Sequence, residues 1–124
     1  MPWSSISTIY STSAYGGTDP AVGSTEQNTQ TVDHVTGDYR YSEVTVDATF
    51  VATPTDNLVV KVYGSLDGTN FDLTPLYSFE VDKGTSPNRV TFEVRNVPYF
   101  RLGLVSSGTT DTIDVQVTVR SWKR

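Results

Sequence analysis

The chain has 124 residues, 14 acidic and 9 basic for a formal charge of −5, and 36% of it is hydrophobic; this bounds it to one domain with a real core. The absence of cysteine excludes disulfide scaffolds, Cys-based zinc and iron–sulfur centres and thiol catalysis, and His34 as sole histidine excludes a His-rich metal site within one subunit.

Residues 1–38 carry four acidic side chains (Asp19, Glu26, Asp33 and Asp38) and no Lys or Arg. Gly16-Gly17, Asp19-Pro20 and Gly23-Ser24 are turn signals. Trp3, Ile6, Ile9, Tyr10 and Tyr15 interrupt the polarity as apolar pegs. The segment reads as an extended polar arm or first strand, docking either on its own domain or on a neighbour. From Thr29 to Val35 a weaker strand is expected, with Val32 and His34 on one face.

Residues 39–124 read as the β-sandwich domain. Val44, Val46, Ala48, Phe50 and Ala52 alternate with polar residues, as a half-buried strand requires. After the turn Thr53-Pro54-Thr55-Asp56-Asn57, Leu58, Val60, Val62 and Leu66 are expected to point inward, with Val59, Lys61 and Tyr63 outward. Further inward rows are Tyr77, Phe79 and Val81, then Val90, Phe92 and Val94. Phe100, Leu102 and Leu104 follow, opposite Tyr99, Arg101 and Val105. The last row is Ile113, Val115, Val117 and Val119, opposite Asp114, Gln116, Thr118, Arg120 and Trp122. No window reads as a helix of ten residues. Closely spaced turns between short strands predict an all-β fold, an antiparallel β-sandwich. A jelly roll of about eight strands fits. Immunoglobulin-like topology competes, and spacing does not separate the two.

Chemistry is sparse. No serine sits in a Gly-x-Ser-x-Gly elbow. His34 beside Asp33 has the composition of a base and its orienting group, yet a packed histidine in a polar strand is the simpler reading. Glu80 and Glu93 read as solvated carboxylates. Asp67-Gly68-Thr69-Asn70-Phe71-Asp72 has oxygen ligands but lacks the order and distal Glu of a calcium loop. It reads as a tight turn, with Asn70 left-handed. No catalytic residue, cofactor or metal ligand is assigned, and the chain is not expected to be an enzyme. The net charge opposes direct nucleic-acid binding, and Arg95, Arg101, Arg120, Lys123 and Arg124 are expected to pair with Asp111, Asp114 and Glu93. No apolar run is long enough for a membrane span, and the start lacks the pattern of a secretory signal. Trp3, Ile6, Tyr10, Tyr15, Tyr63, Tyr99 and Trp122 are the interface candidates, with Tyr39 and Tyr41 nearby. Such aromatics serve protein contacts or a glycan-binding face.

The stretch Val62-Tyr63-Gly64-Ser65-Leu66-Asp67-Gly68-Thr69-Asn70-Phe71-Asp72 resembles a segment recurring in small β-rich structural proteins of tailed bacteriophages. Two further runs are similar to theirs: Val97-Pro98-Tyr99-Phe100-Arg101-Leu102-Gly103-Leu104, and Asp111-Thr112-Ile113-Asp114-Val115-Gln116-Val117. The resemblance covers about residues 58–122. It implies a virion component: a head decoration (cement) protein, or a piece of the neck or tail. Decoration proteins of that kind sit on the capsid exterior, often as trimers, and bind the major capsid protein or other virion proteins. A Ser-x-Asp-Gly-x-x-Phe turn also occurs in sugar-binding sandwich modules, so a carbohydrate-binding module is the alternative.

Overall fold

Strands in this chain follow the alternation of apolar and polar residues, and the described residues, 2–123 of the computed structural model, form nine of them. They are β1 (Ser7–Ser11), β2 (Gln27–Asn28), β3 (Val32–Asp33), β4 (Tyr39–Thr49), β5 (Leu58–Ser65), β6 (Tyr77–Val81), β7 (Asn88–Arg95), β8 (Tyr99–Ser106) and β9 (Asp114–Lys123). A single 3-10 turn, Ser13–Tyr15, follows β1.

The strands make two antiparallel sheets, ordered β1-β9-β4-β7 and β2-β8-β5-β6. β3 also pairs with β8, at Phe100 and Tyr99, while β2 pairs further along, at Leu104 and Gly103. Between them the Thr29 amide donates to the Leu102 carbonyl, and the Leu102 amide donates to Thr29 Oγ1. β2 and β3 are thus one strand with an interruption bridged by a threonine side chain. Merged, they leave eight strands in the order of a jelly roll, which resolves the choice against an immunoglobulin-like topology.

The inward rows meet between the sheets. Val44, Val46, Ala48, Val115 and Val117 face Leu58, Val60, Val62, Phe100, Leu102 and Leu104, all fully buried. Each of these Val, Leu and Phe side chains contributes about 1.5–3 kcal/mol of transfer free energy, and Ala48 less. Ile9, Tyr10, Val22 and Val32 belong to the same core. A register shift between Thr8 and Tyr10 in the β1–β9 ladder accompanies the burial of the adjacent Ile9 and Tyr10. Val22 exchanges backbone hydrogen bonds with Ile113. Residues 7–33 thus supply three strands and core side chains to the sandwich, and the structure draws no boundary at residue 38.

Three expected inward positions fail. Leu66 is 87% exposed, because the Ser65 hydroxyl accepts from the Gly68 amide and donates to the Asn70 carbonyl, turning the chain out of the sheet. Ala52 lies in the exposed bend after β4. Tyr77, at the first position of β6, is exposed as well. Asn70 is not left-handed; in that turn Gly68 is, at φ 80°, and among the described residues the non-glycine ones with positive φ are Asp38 and Asn96.

Candidate functional site

His34 is buried, and its ring is fully committed. Nδ1 lies 2.9 Å from the Val97 carbonyl, and Nε2 lies 2.6 Å from Ser42 Oγ, which is 2.7 Å from Ser121 Oγ. A carbonyl only accepts, so Nδ1 carries the proton and Nε2 accepts from Ser42. Desolvation lowers the His34 pKa, against the bond to Val97 and the charge of Asp33. Asp33 does not touch the ring: its carboxylate accepts from Thr36 and from the Val35 amide, and the Thr36 hydroxyl is the main reason its pKa is lowered. Ser42 has no exposed surface, so no substrate approaches its hydroxyl. The arrangement orders three strands rather than activating a nucleophile.

The Asp67 turn spends its carboxylate internally. Oδ1 accepts from the Thr69 and Asn70 amides and Oδ2 from Asn70 Nδ2, and the Asn70 amide bond leads the causes that hold its pKa well below the usual carboxylate range. Among the described residues no three His, Asp or Glu side chains group as a metal site would require. The connections β4–β5 and β8–β9 use carboxylates differently. Asp56 Oδ2 accepts from the Asp111 and Thr110 amides and the Ser106 hydroxyl, while Asp111 Oδ2 accepts from the Thr55 and Asp56 amides. Asp111, which the sequence suggests as a salt-bridge partner, instead bonds backbone amides. Asp114 accepts from the Thr12 hydroxyl, and among the described residues Glu93 alone of the three expected acids pairs with a cation, Arg95, at 2.9 Å.

No protein-family model matches the chain, and no curated protein does. Its surfaces must speak for themselves.

Trp3 and Trp122 meet edge to face at 4.8 Å on the outer side of the β1-β9-β4-β7 sheet, and Trp3 packs the same way on Tyr41 at 5.7 Å. The Arg120 guanidinium covers Trp3 and that of Arg95 covers Tyr41. The rings are therefore enclosed by their neighbours rather than laid out as a flat platform. Ile6 stands 70% exposed on this sheet, beside Glu43, Thr45 and Arg120. Along the same face run the ion pairs Arg89–Asp47, Glu93–Arg95 and Arg120–Glu43.

Tyr63 and Tyr99 lie on the other sheet. The Tyr63 hydroxyl donates to Glu26, which also pairs with Lys61. Gly103 permits this crossing, since a Cβ there would fall 2.8 Å from the Tyr63 ring. Tyr99 packs against Gly68. Tyr15 bonds Thr49 Oγ1 at 2.7 Å. Tyr10 is not a surface residue: it is 3% exposed, its hydroxyl donates to the Pro20 carbonyl, and burial together with Asp19 pushes its pKa up to about 12. The seven candidates thus do not form one site. Arg124 lies outside the described residues.

The most apolar projection is one that alternation does not reveal. Leu66 (87% exposed), Leu73 (98%) and Leu76 (50%) all stand on the β5–β6 connection. Beside them an open depression is lined by Glu26, Tyr63, Phe71, Asp72, Leu73 and Arg101, with the Arg101 guanidinium 4.1 Å over Phe71. The available signal was Leu73 itself, a large apolar residue inside the turn-rich run Asp72-Leu73-Thr74-Pro75, where no strand could bury it.

Proposed function

We propose that the chain is a non-enzymatic virion structural protein, a capsid decoration (cement) protein that binds the head exterior and braces neighbouring subunits. The exposed leucines of the β5–β6 connection carry this reading. Large apolar side chains projecting from a closed sandwich fit a protein surface that buries them. The resemblance of residues 58–122 to phage structural proteins supports the same class, including self-association as a trimer, with a neck or tail position as its variant. Ser42, the hydroxyl nearest a base, is sealed inside the fold, which favours binding over catalysis.

The glycan-binding alternative draws on Tyr41 and Trp122, whose rings are near parallel at 6.3 Å. Their covering by Trp3 and Arg95 weighs against it. The test is to add purified protein to capsids assembled from the head proteins of a tailed phage whose genome encodes this chain. Saturable cosedimentation at a fixed ratio to capsid subunits, with a raised capsid melting temperature, is expected. Absence of binding, together with absence of the protein from purified virions, would overturn the proposal.

A further inference from the structure

β7 is the outer strand of its sheet, and only one of its sides is paired. The Tyr77 hydroxyl donates to the Glu93 carbonyl at 2.8 Å, so the backbone groups of Glu93 point away from β4. By the two-residue period, those of Arg89, Thr91 and Arg95 point the same way. Their side chains share the outer face of the sheet, and all four residues are exposed. Val90, Phe92 and Val94 face the core side, where Phe92 packs on Phe79 and Tyr77.

The edge is complementary to itself. If a second β7 runs antiparallel about a two-fold axis at Thr91, Arg89 falls opposite Glu93 of the second copy, and Glu93 opposite its Arg89. Directly opposed side chains of unlike charge stabilise an antiparallel pair. The ion pairs already present extend through the seam: Asp47 holds Arg89 at 2.6 Å and Arg95 holds Glu93 at 2.9 Å. The contacts then run from Asp47 to Arg89 and on to Glu93 and Arg95 of the second copy, alternating in sign, while Glu43, opposite Glu93 in the β4–β7 register, is held by Arg120. Pro87, with no amide hydrogen, ends the seam just before β7.

We propose that a second copy of this chain pairs with the β7 edge, joining two four-stranded sheets into one continuous sheet. This does not depend on capsid binding. A seam of one strand each buries less than stable interfaces require, and it must displace Tyr77 from Glu93. The association is therefore weak in dilute solution and fills when copies are held close together.

The chain contains no cysteine, so Thr91→Cys reports the axis directly. At high protein concentration under mild oxidation, T91C is expected to give a disulfide dimer, whereas Thr45→Cys, on the neighbouring strand of the same face, stays monomeric. In the T91C background, Arg89→Glu is expected to lower dimer yield about tenfold by opposing like charges, and adding Glu93→Arg to restore it. Arg89→Glu also gives up the ion pair with the buried Asp47, in the single and the double variant alike, so the rescue reports the seam itself, and far-ultraviolet circular dichroism checks that each variant folds. Equal dimer yield from T91C and T45C, or no rescue by the charge-swapped double variant, would overturn the proposal.

Discussion

Two sets of connections in this sandwich have similar composition and opposite behaviour. The β4–β5 and β8–β9 connections and the β5–β6 connection are all rich in Asp, Thr and Gly or Pro. In the first set Asp56 and Asp111 each reach across to the backbone of the other connection, and both side chains are buried. In the second, Asp67 bonds its own turn and the Ser65 hydroxyl at the end of β5, and further ties to the sheet are the amides of Asp72 and Leu76 on the Gly64 and Val62 carbonyls. A carboxylate that crosses between connections closes one end of the fold. One that folds back on its own turn shapes a projection without covering it, and three leucines are left in water.

The largest consequence is expected at the crossed pair. Asp111→Ala leaves the Thr55 and Asp56 amides without their acceptor, at a cost of about 3 kcal/mol. Urea unfolding followed by tryptophan fluorescence checks this. Asp111→Asn, which keeps one carbonyl oxygen, is expected to lose clearly less. Equal loss from both variants would show that charge, rather than amide capping, matters there.

How far these features are readable from the amino-acid order follows the physics of each. The rows Val44-Val46-Ala48 and Val115-Val117-Val119 are legible because a pleated strand half in water enforces a period of two. The burial of Ile9, Tyr10 and Val22 is not, because a register shift and a single bridge to Ile113 replace that period. β2 and β3 are illegible as one strand because the Thr29 side chain supplies the missing rung. Asp56 and Asp111 are legible as turn residues, but their pairing spans 55 positions. Trp3 and Trp122 could be named as surface aromatics, yet only the fold of the N-terminal segment onto β9 brings them together.

A second, smaller effect tests the closed interior against pH. The His34 pKa is lowered by burial from its ordinary 6.5, so between the two values the unfolded chain binds more protons than the folded one. Stability is therefore full above about pH 6.5 and falls as pH drops from there toward the folded value. Protonation would make Nε2 a donor, turn the Ser42 hydroxyl toward Ser121 and leave the Ser121 hydroxyl seeking a new acceptor. The lowered carboxylates Asp33, Asp56 and Asp67 act lower, losing their contribution as pH falls below about 4. Urea midpoints from pH 8 to 5 are expected to decline in the wild type and to stay flat in His34→Gln. A wild-type midpoint that rises toward pH 5 would mean that the charged imidazole is the better-held form.

The least effect on stability, and the sharpest contrast with Asp111, is expected from Leu66→Ser combined with Leu73→Ser. Both side chains already stand in water, so folding gains almost nothing from them, and the change should stay within about 0.5 kcal/mol. Binding is another matter. If both leucines enter a partner surface, each forfeits roughly 1.5–3 kcal/mol of burial on truncation, enough to weaken capsid affinity a hundredfold or more. The double variant should therefore unfold at the wild-type urea concentration and fail to cosediment with capsids. If it binds undiminished, the β5–β6 connection is not the docking element, and the remaining exposed apolar residue of comparable prominence is Ile6, on the opposite sheet beside the Arg120–Glu43 pair. Ile6→Ser measured in the same assay then separates the two faces, because the leucines and Ile6 project from different sheets and a single flat partner surface reaches only one of them.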